Sequence, residues 1–137
     1  MIKVSKGCGM TSYFMNWITL NSLSQLDQIK EESQQSPVLI FKHSTRCATS
    51  RMSLDRLERN WDPQETENIK PYYLDLISYR SVSNSIADTF GIDHESPQIL
   101  LIVKGESVLD LSHFEIDYDR ILQTIKSQKS LTVSESR

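Results

Sequence analysis

The chain has 137 residues, the size of one ordinary domain and enough to bury a core. Hydrophobic residues make up 38% and charged residues 24%, and no apolar run nears the ~20 residues of a membrane-spanning helix, so a disordered tail and a membrane protein are both set aside. A formal net charge of -3 gives no general electrostatic reason to bind nucleic acid or an anionic membrane.

In chain order, "MIKVSKGCGMTSYF" starts positive, but Lys3, Ser5 and Lys6 interrupt the apolar stretch that a signal peptide needs. Met10 and Met15 are further possible starts, and regular patterning begins only at Trp17. Residues 1–14 are therefore expected to be an extension, disordered or foreign to the natural chain, ahead of a domain spanning 15–127. Cys8 then lies outside the working site. The remaining stretch, 128–137, reads as a polar, frayed tail.

"SLSQLDQIKEESQQ" opens with a capping-box signal, Ser22 followed by Gln25, and Leu23, Leu26 and Ile29 recur at helical spacing. "PVLIFKHS" is a continuous apolar run after a proline, which suits a strand buried on both faces and favours a parallel sheet. From Cys47 the period changes. Leu54, Leu57 and Trp61 share a stripe with Cys47, and Arg51–Asp55 and Asp55–Arg59 are opposite-sign pairs on the other face. This predicts an amphipathic helix with Cys47 at its N-terminal end and Pro63 at its exit.

"KPYYLDLIS" reads as a second strand, and "RSVSNSIADTFG" as a helix carrying Val82, Ile86 and Phe90 and stopped by Gly91. "QILLIV" is a third buried strand. A type II′ turn centred on Gly105-Glu106 would lead into a fourth, "VLDLSHF". Asp117 then caps a helix with Tyr118, Ile121, Leu122 and Ile125 on one face. From Pro37 the order is β-α-β-α-β-β-α. Crossover helices imply parallel neighbours and the tight hairpin an antiparallel pair. The fold class is α/β: a mixed sheet of four strands, or five if "WITL" adds one, with helices on both faces.

"FKHSTRCATS" concentrates the chemistry. The nucleophile of a cysteine is its thiolate. A helix N-terminus, the adjacent Arg46, and Lys42 and His43 just upstream would all favour that form. Ser50 stands where a second cysteine would complete a C-x-x-C dithiol. "CATS" is thus a one-thiol site, which can take up a disulfide-bonded group but must pass it to an external thiol. Ser50 is expected to donate a hydrogen bond to the Cys47 sulfur. Against this stands the bland alternative that cysteine often serves as a small buried hydrophobe.

Pro97 begins the third strand, where proline is tolerated. A cis Ser96–Pro97 bond would leave the Ser96 backbone facing the cysteine helix, free to pair with an extended substrate. The histidines His43, His94 and His113 are scattered and no C-x-x-C exists, so neither a disulfide framework nor a structural zinc site is expected. A reducing, cytoplasmic compartment follows as the expectation.

With "FKHSTRCATS", "ESPQILLIVKGE" and "MNWITL" assembled, the chain resembles the monothiol bacilliredoxin-like family of thioredoxin-like redox proteins over about residues 15–127. The resemblance implies an enzyme that removes bacillithiol, a small thiol, from protein mixed disulfides. Cys47 matches the active cysteine, Ser50 the non-resolving position and Pro97 the cis-proline. Ala48 and Thr49 depart from the proline and aliphatic residue usual there, which bears on thiol preference. Arg46 and Lys42 are expected to hold the thiolate and any carboxylate of the adduct, with Thr45, Ser96 and Pro97 aligning the client. The implied co-substrate is bacillithiol or a similar small thiol. No tightly bound cofactor or metal is expected, and the partners are S-thiolated client proteins rather than nucleic acid or membrane.

Three other functions compete. Ser44-x-x-Cys47 has a peroxiredoxin-like spacing, but Ile40 stands where a proline is expected. Iron–sulfur binding of the C-G-F-S type lacks its glycine and phenylalanine in "CATS". A non-catalytic, partner-binding adaptor is the alternative of a different class, in which Tyr72, Tyr73 and Tyr79 would be contacts rather than core.

Overall fold

The computed structural model describes residues 15–135, with side chains through residue 128. The expected extension and Cys8 lie outside the described residues. The elements are β1 (Ile18–Thr19), α1 (Ser24–Glu32), β2 (Val38–His43), α2 (Ala48–Asn60), β3 (Lys70–Asp75), α3 (Arg80–Phe90), β4 (Gln98–Val103), β5 (Glu106–Ser112), a 3₁₀ turn (His113–Glu115) and α4 (Tyr118–Glu135). The sheet has five strands in the order β1-β3-β2-β4-β5. β1, β3 and β2 run parallel, while β4 is antiparallel to β2 and β5 to β4. "WITL" does supply a fifth strand, a short one bonded through Leu20 N to Tyr73 O at 2.8 Å.

β2 is central, and all six of its residues are buried. Its period of two sorts them between two cores. Val38 and Ile40 pack with Leu26 and Ile29 of α1 and with Val82 and Ile86 of α3. Leu39 and Phe41 pack with Leu57 of α2 and with Ile121, Leu122 and Ile125 of α4. Burying each such side chain stabilises the fold by about 1.5–3 kcal/mol, and this offsets the entropy of ordering the crossovers. Tyr72 is core, Tyr73 is half-buried and Tyr79 is exposed.

Gln25 closes the capping signal in one direction only, its side-chain oxygen accepting Ser22 N–H at 3.0 Å and Asn21 N–H at 2.8 Å. Gly91 ends α3 in the left-handed region, φ 68°. The hairpin differs from its expectation by one residue. Val103 pairs with Glu106, so the turn is centred on Lys104-Gly105, both with positive φ, as in a type I′ turn. That turn's twist matches the flanking strands. The expected pairs Arg51–Asp55 and Asp55–Arg59 do not close; among the described residues the acid–base contacts are the Lys70–Glu32 ion pair and His113–Glu95, which is charged only when His113 is protonated. α4 runs on to Glu135, past the frayed tail expected from 128.

Candidate functional site

The site lies where β2 ends and α2 begins. Cys47 is the N-cap of α2, with extended backbone (φ -112°, ψ 122°). Its N–H donates to Ser44 O at 3.2 Å, and its carbonyl accepts Arg51 N–H at 3.1 Å, the first bond of the helix. The side chain makes no capping hydrogen bond and is half-buried. The sulfur therefore sits beside the unpaired N–H groups and positive end of α2. Thr45, Arg46 and Ala48 around it are exposed.

One turn along α2, Ser50 is fully buried. Its Oγ accepts the Ser44 N–H at 3.1 Å and lies 2.7 Å from His43 Nδ1. The His43 tautomer sets which of the two atoms donates in that contact. The His43 ring leans on Phe41 and Tyr73, with centroids 6.1 and 5.6 Å away. Burial lowers its pKa; Asp75 and Asp55 pull the other way and Arg51 adds to the lowering. Ser50 Oγ is thus bonded to His43 and Ser44, and among the described residues no hydrogen bond joins it to Cys47. The contact expected from the sequence is replaced because the buried His43 ring and the Ser44 N–H both come within hydrogen-bond reach of this hydroxyl.

Lys42 corrects a second expectation. Successive residues of a strand face opposite ways, so His43 meets α2 while Lys42 follows Ile40 to the α1/α3 side. Its ammonium is fully buried there, 3.3 Å from Ser83 O and 3.3 Å from His94 Nδ1. Burial pushes its pKa down to about 8. It is separated from the cysteine helix by the sheet.

The Ser96–Pro97 peptide is cis. Lys42 opposite Gln98 in the β2–β4 register brings this step beside the end of β2 and the loop to Cys47. Pro97 is buried and Ser96 partly so, its Oγ shielded and without a hydrogen-bond partner among the described residues. Pro97 O accepts the His113 N–H at 2.9 Å, and His113 O accepts the Ser53 hydroxyl of α2 at 3.2 Å. His113 has φ 54°, in the left-handed region. A single residue of the 3₁₀ turn thereby links the proline segment to the cysteine helix. A groove of about 680 Å³ opens at the other end of the sheet between Pro37, Ile69, Val103 and Ile125. Cys47, half-buried at the head of α2, does not line that groove.

The profile of the monothiol bacilliredoxin BrxC family matches residues 18–121, from β1 into α4. The chain belongs to the monothiol bacilliredoxin family. Solved structures agree with the family's fold. A solved thioredoxin-fold protein is 32% identical, with a TM-score of 0.68 over 78% of this chain and 91% of its own. The thioredoxin Mala s 13 of Malassezia sympodialis is 14% identical, with a TM-score of 0.65 over 85% of this chain and 94% of its own. The thioredoxin of Fasciola hepatica, 14% identical, covers 80% of this chain and 96% of its own at a TM-score of 0.60. The fold is the thioredoxin fold, and the protein has a thiol redox role.

Of the residues expected at this bacilliredoxin's site, Thr45, Arg46 and Cys47 share one loop, with Ser96 and Pro97 alongside. Ser50 supports that loop from beneath, and Lys42 faces away. His43 and His113 join the machinery of the site. Alternation along β2, a signal present in the sequence, separates His43 from Lys42, and the fold puts α2 on the His43 side. His113 carries no such signal, because its two links are main-chain bonds to residues far away in the chain.

Proposed function

We propose that this bacilliredoxin removes a small thiol, bacillithiol, from protein mixed disulfides through Cys47 alone. The observation that carries this is Cys47 at the N-cap of α2, half-buried and without a capping bond, with a committed serine in place of a second thiol one turn later. The Cys47 thiolate attacks the bacillithiol sulfur, and the client leaves as a free thiolate. Cys47 then holds bacillithiol as a mixed disulfide. A second small-thiol thiolate attacks that adduct, releasing the oxidised dimer and the Cys47 thiolate, so electrons balance over the two exchanges.

Arg46, exposed beside the sulfur, is assigned to the thiolate and to carboxylates on the adduct. Thr45, Ser96 and Pro97 are assigned to the client main chain, Ser96 through its backbone beside the cis proline. Lys42 is withdrawn from the thiolate, and Ser50 acts by holding the loop. A cytoplasmic setting with S-thiolated proteins as partners completes the reading.

The test is intact mass after mixing a Cys8→Ser variant with a model protein bearing a bacillithiol mixed disulfide. Gain of one bacillithiol on Cys47, with the model protein freed, is expected. No transfer, with Cys47 still open to alkylation, overturns bacillithiol as the group moved, and glutathione is the next probe. A Cys47 that neither accepts an adduct nor alkylates in the folded protein overturns the catalytic reading in favour of an adaptor.

A further inference from the structure

We propose that Lys42 and His94 are a positioning pair that anchors the proline-bearing segment beside Cys47, and that protonation of His94 releases it. That this segment meets clients rests on the function proposed above; that Lys42 and His94 hold it does not.

Lys42 is a fully buried cation, and no carboxylate comes within ion-pair distance of it among the described residues. Such a charge needs acceptors. It has Ser83 O and His94 Nδ1, each at 3.3 Å. The Ser83 hydroxyl lies 3.2 Å from the same Nδ1. Two donors therefore converge on one imidazole nitrogen. That nitrogen must carry a lone pair, so His94 is neutral with its proton on Nε2. Protonated, His94 offers no acceptor and sets a second cation 3.3 Å from the first.

The surroundings act in the same direction. Burial, Lys42 from β2 and Arg80 from α3 all lower the His94 pKa, and only Glu95, on its own segment, raises it. The other ties of residues 91–96 do not need a neutral imidazole. Gly91 and Ile92 donate to Ala87 O at the end of α3. The Gln98 side chain donates to Asp93 O at 3.0 Å and accepts Glu95 N–H at 3.3 Å, closing the segment onto β4. Glu95 faces His113 at 3.6 Å, a contact that is an ion pair only when His113 is protonated. The His94 contact is thus the tie across to β2 that acid breaks. Ser96 and Pro97 follow within three residues, so its loss is felt where the client main chain would lie.

The test is a pH titration of the full chain by NMR, following the His94 ring and the Ser96 amide in wild type, His94→Asn and Lys42→Met. In wild type the Ser96 amide is expected to shift with the His94 midpoint. His94→Asn keeps an acceptor oxygen near the Nδ1 position at every pH, and should abolish that shift. Lys42→Met should move the His94 midpoint up, because a neighbouring cation is gone. A Ser96 shift that persists in His94→Asn, or an unmoved His94 midpoint in Lys42→Met, overturns the proposal. Should His94→Asn fail to fold, Lys42→Met decides by itself.

Thiol exchange is read on the same samples. Wild type should lose rate through the His94 midpoint beyond any loss in His94→Asn, and identical acid limbs overturn the positioning role. Absence of exchange in every sample, with the NMR result as expected, would instead remove the proposed function and leave the anchor standing.

Discussion

Ser50 Oγ lies 2.7 Å from His43 Nδ1 and accepts the Ser44 N–H at 3.1 Å. One buried hydroxyl thereby fastens the last residue of β2 to the first turn of α2, with the cysteine loop closed between them. Ser50→Ala strands a buried ring nitrogen and a main-chain N–H. It should destabilise the protein by about 1–3 kcal/mol, read from urea denaturation midpoints. A midpoint equal to wild type would mean that the loop is held by something else.

Lys42 has a pH signature. Its pKa is about 8 in the folded protein against an ordinary 10.5, so the unfolded chain binds more protons between those values. Wild-type stability should therefore rise across that window by roughly 3 kcal/mol relative to Lys42→Met, which has nothing to titrate there. The upward shifts of Tyr72 and Tyr118 occur in both proteins and cancel in the difference. At pH 7 Lys42→Met should be at least as stable as wild type, because His94 Nδ1 keeps the Ser83 hydroxyl after the buried charge is removed. Denaturation curves for the two proteins that stay parallel from pH 7 to 11 would contradict this.

Glu32 ties α1 to β3. One of its oxygens accepts Tyr72 O–H at 2.6 Å, and the other accepts Lys70 and Gln28 at 3.0 Å each. Burial raises this carboxyl, but the bonds from Tyr72, Gln28 and Lys70 outweigh it and hold its pKa below 4.5. The stability it contributes is present above pH 4.5 and is lost as pH falls through its folded value. Glu32→Gln should cost about 1–2 kcal/mol at pH 7, mostly through the buried Tyr72 bond rather than the half-exposed Lys70. The difference from wild type should shrink in acid. A difference that stays constant down to pH 3 would show that the charge of Glu32 is immaterial.

The β4–β5 turn is open to improvement. Lys104 sits at φ 53° and Gly105 at φ 80°, and asparagine tolerates the first better than lysine does. Lys104→Asn should stabilise the protein by about 0.5 kcal/mol, and Gly105→Ala should destabilise it by about 1 kcal/mol. Space is not the obstacle at Gly105, since an added Cβ would meet only the Gln34 side chain at 3.5 Å. Thermal midpoints that move in the opposite directions would mean that the turn is not type I′ in solution.

By itself the sequence determined the elements and the thiol. Apolar runs marked β2 and β4 as buried strands, a change of period at Cys47 marked α2, and Ser50 announced a site with one sulfur. These are short-range signals, because burial on two faces and helical spacing are written in consecutive residues. The sequence also put Lys42 and His43 on opposite faces of β2, without saying which helix covered which face. Only the tertiary structure decided that α3 meets Lys42 and α2 meets His43. Ser83 lies 41 residues from Lys42 and His94 lies 52 from it, while His113 is 60 from Ser53. Bonds that span such separations exist because the crossovers and the hairpin bring the strand ends together, and no local pattern records them.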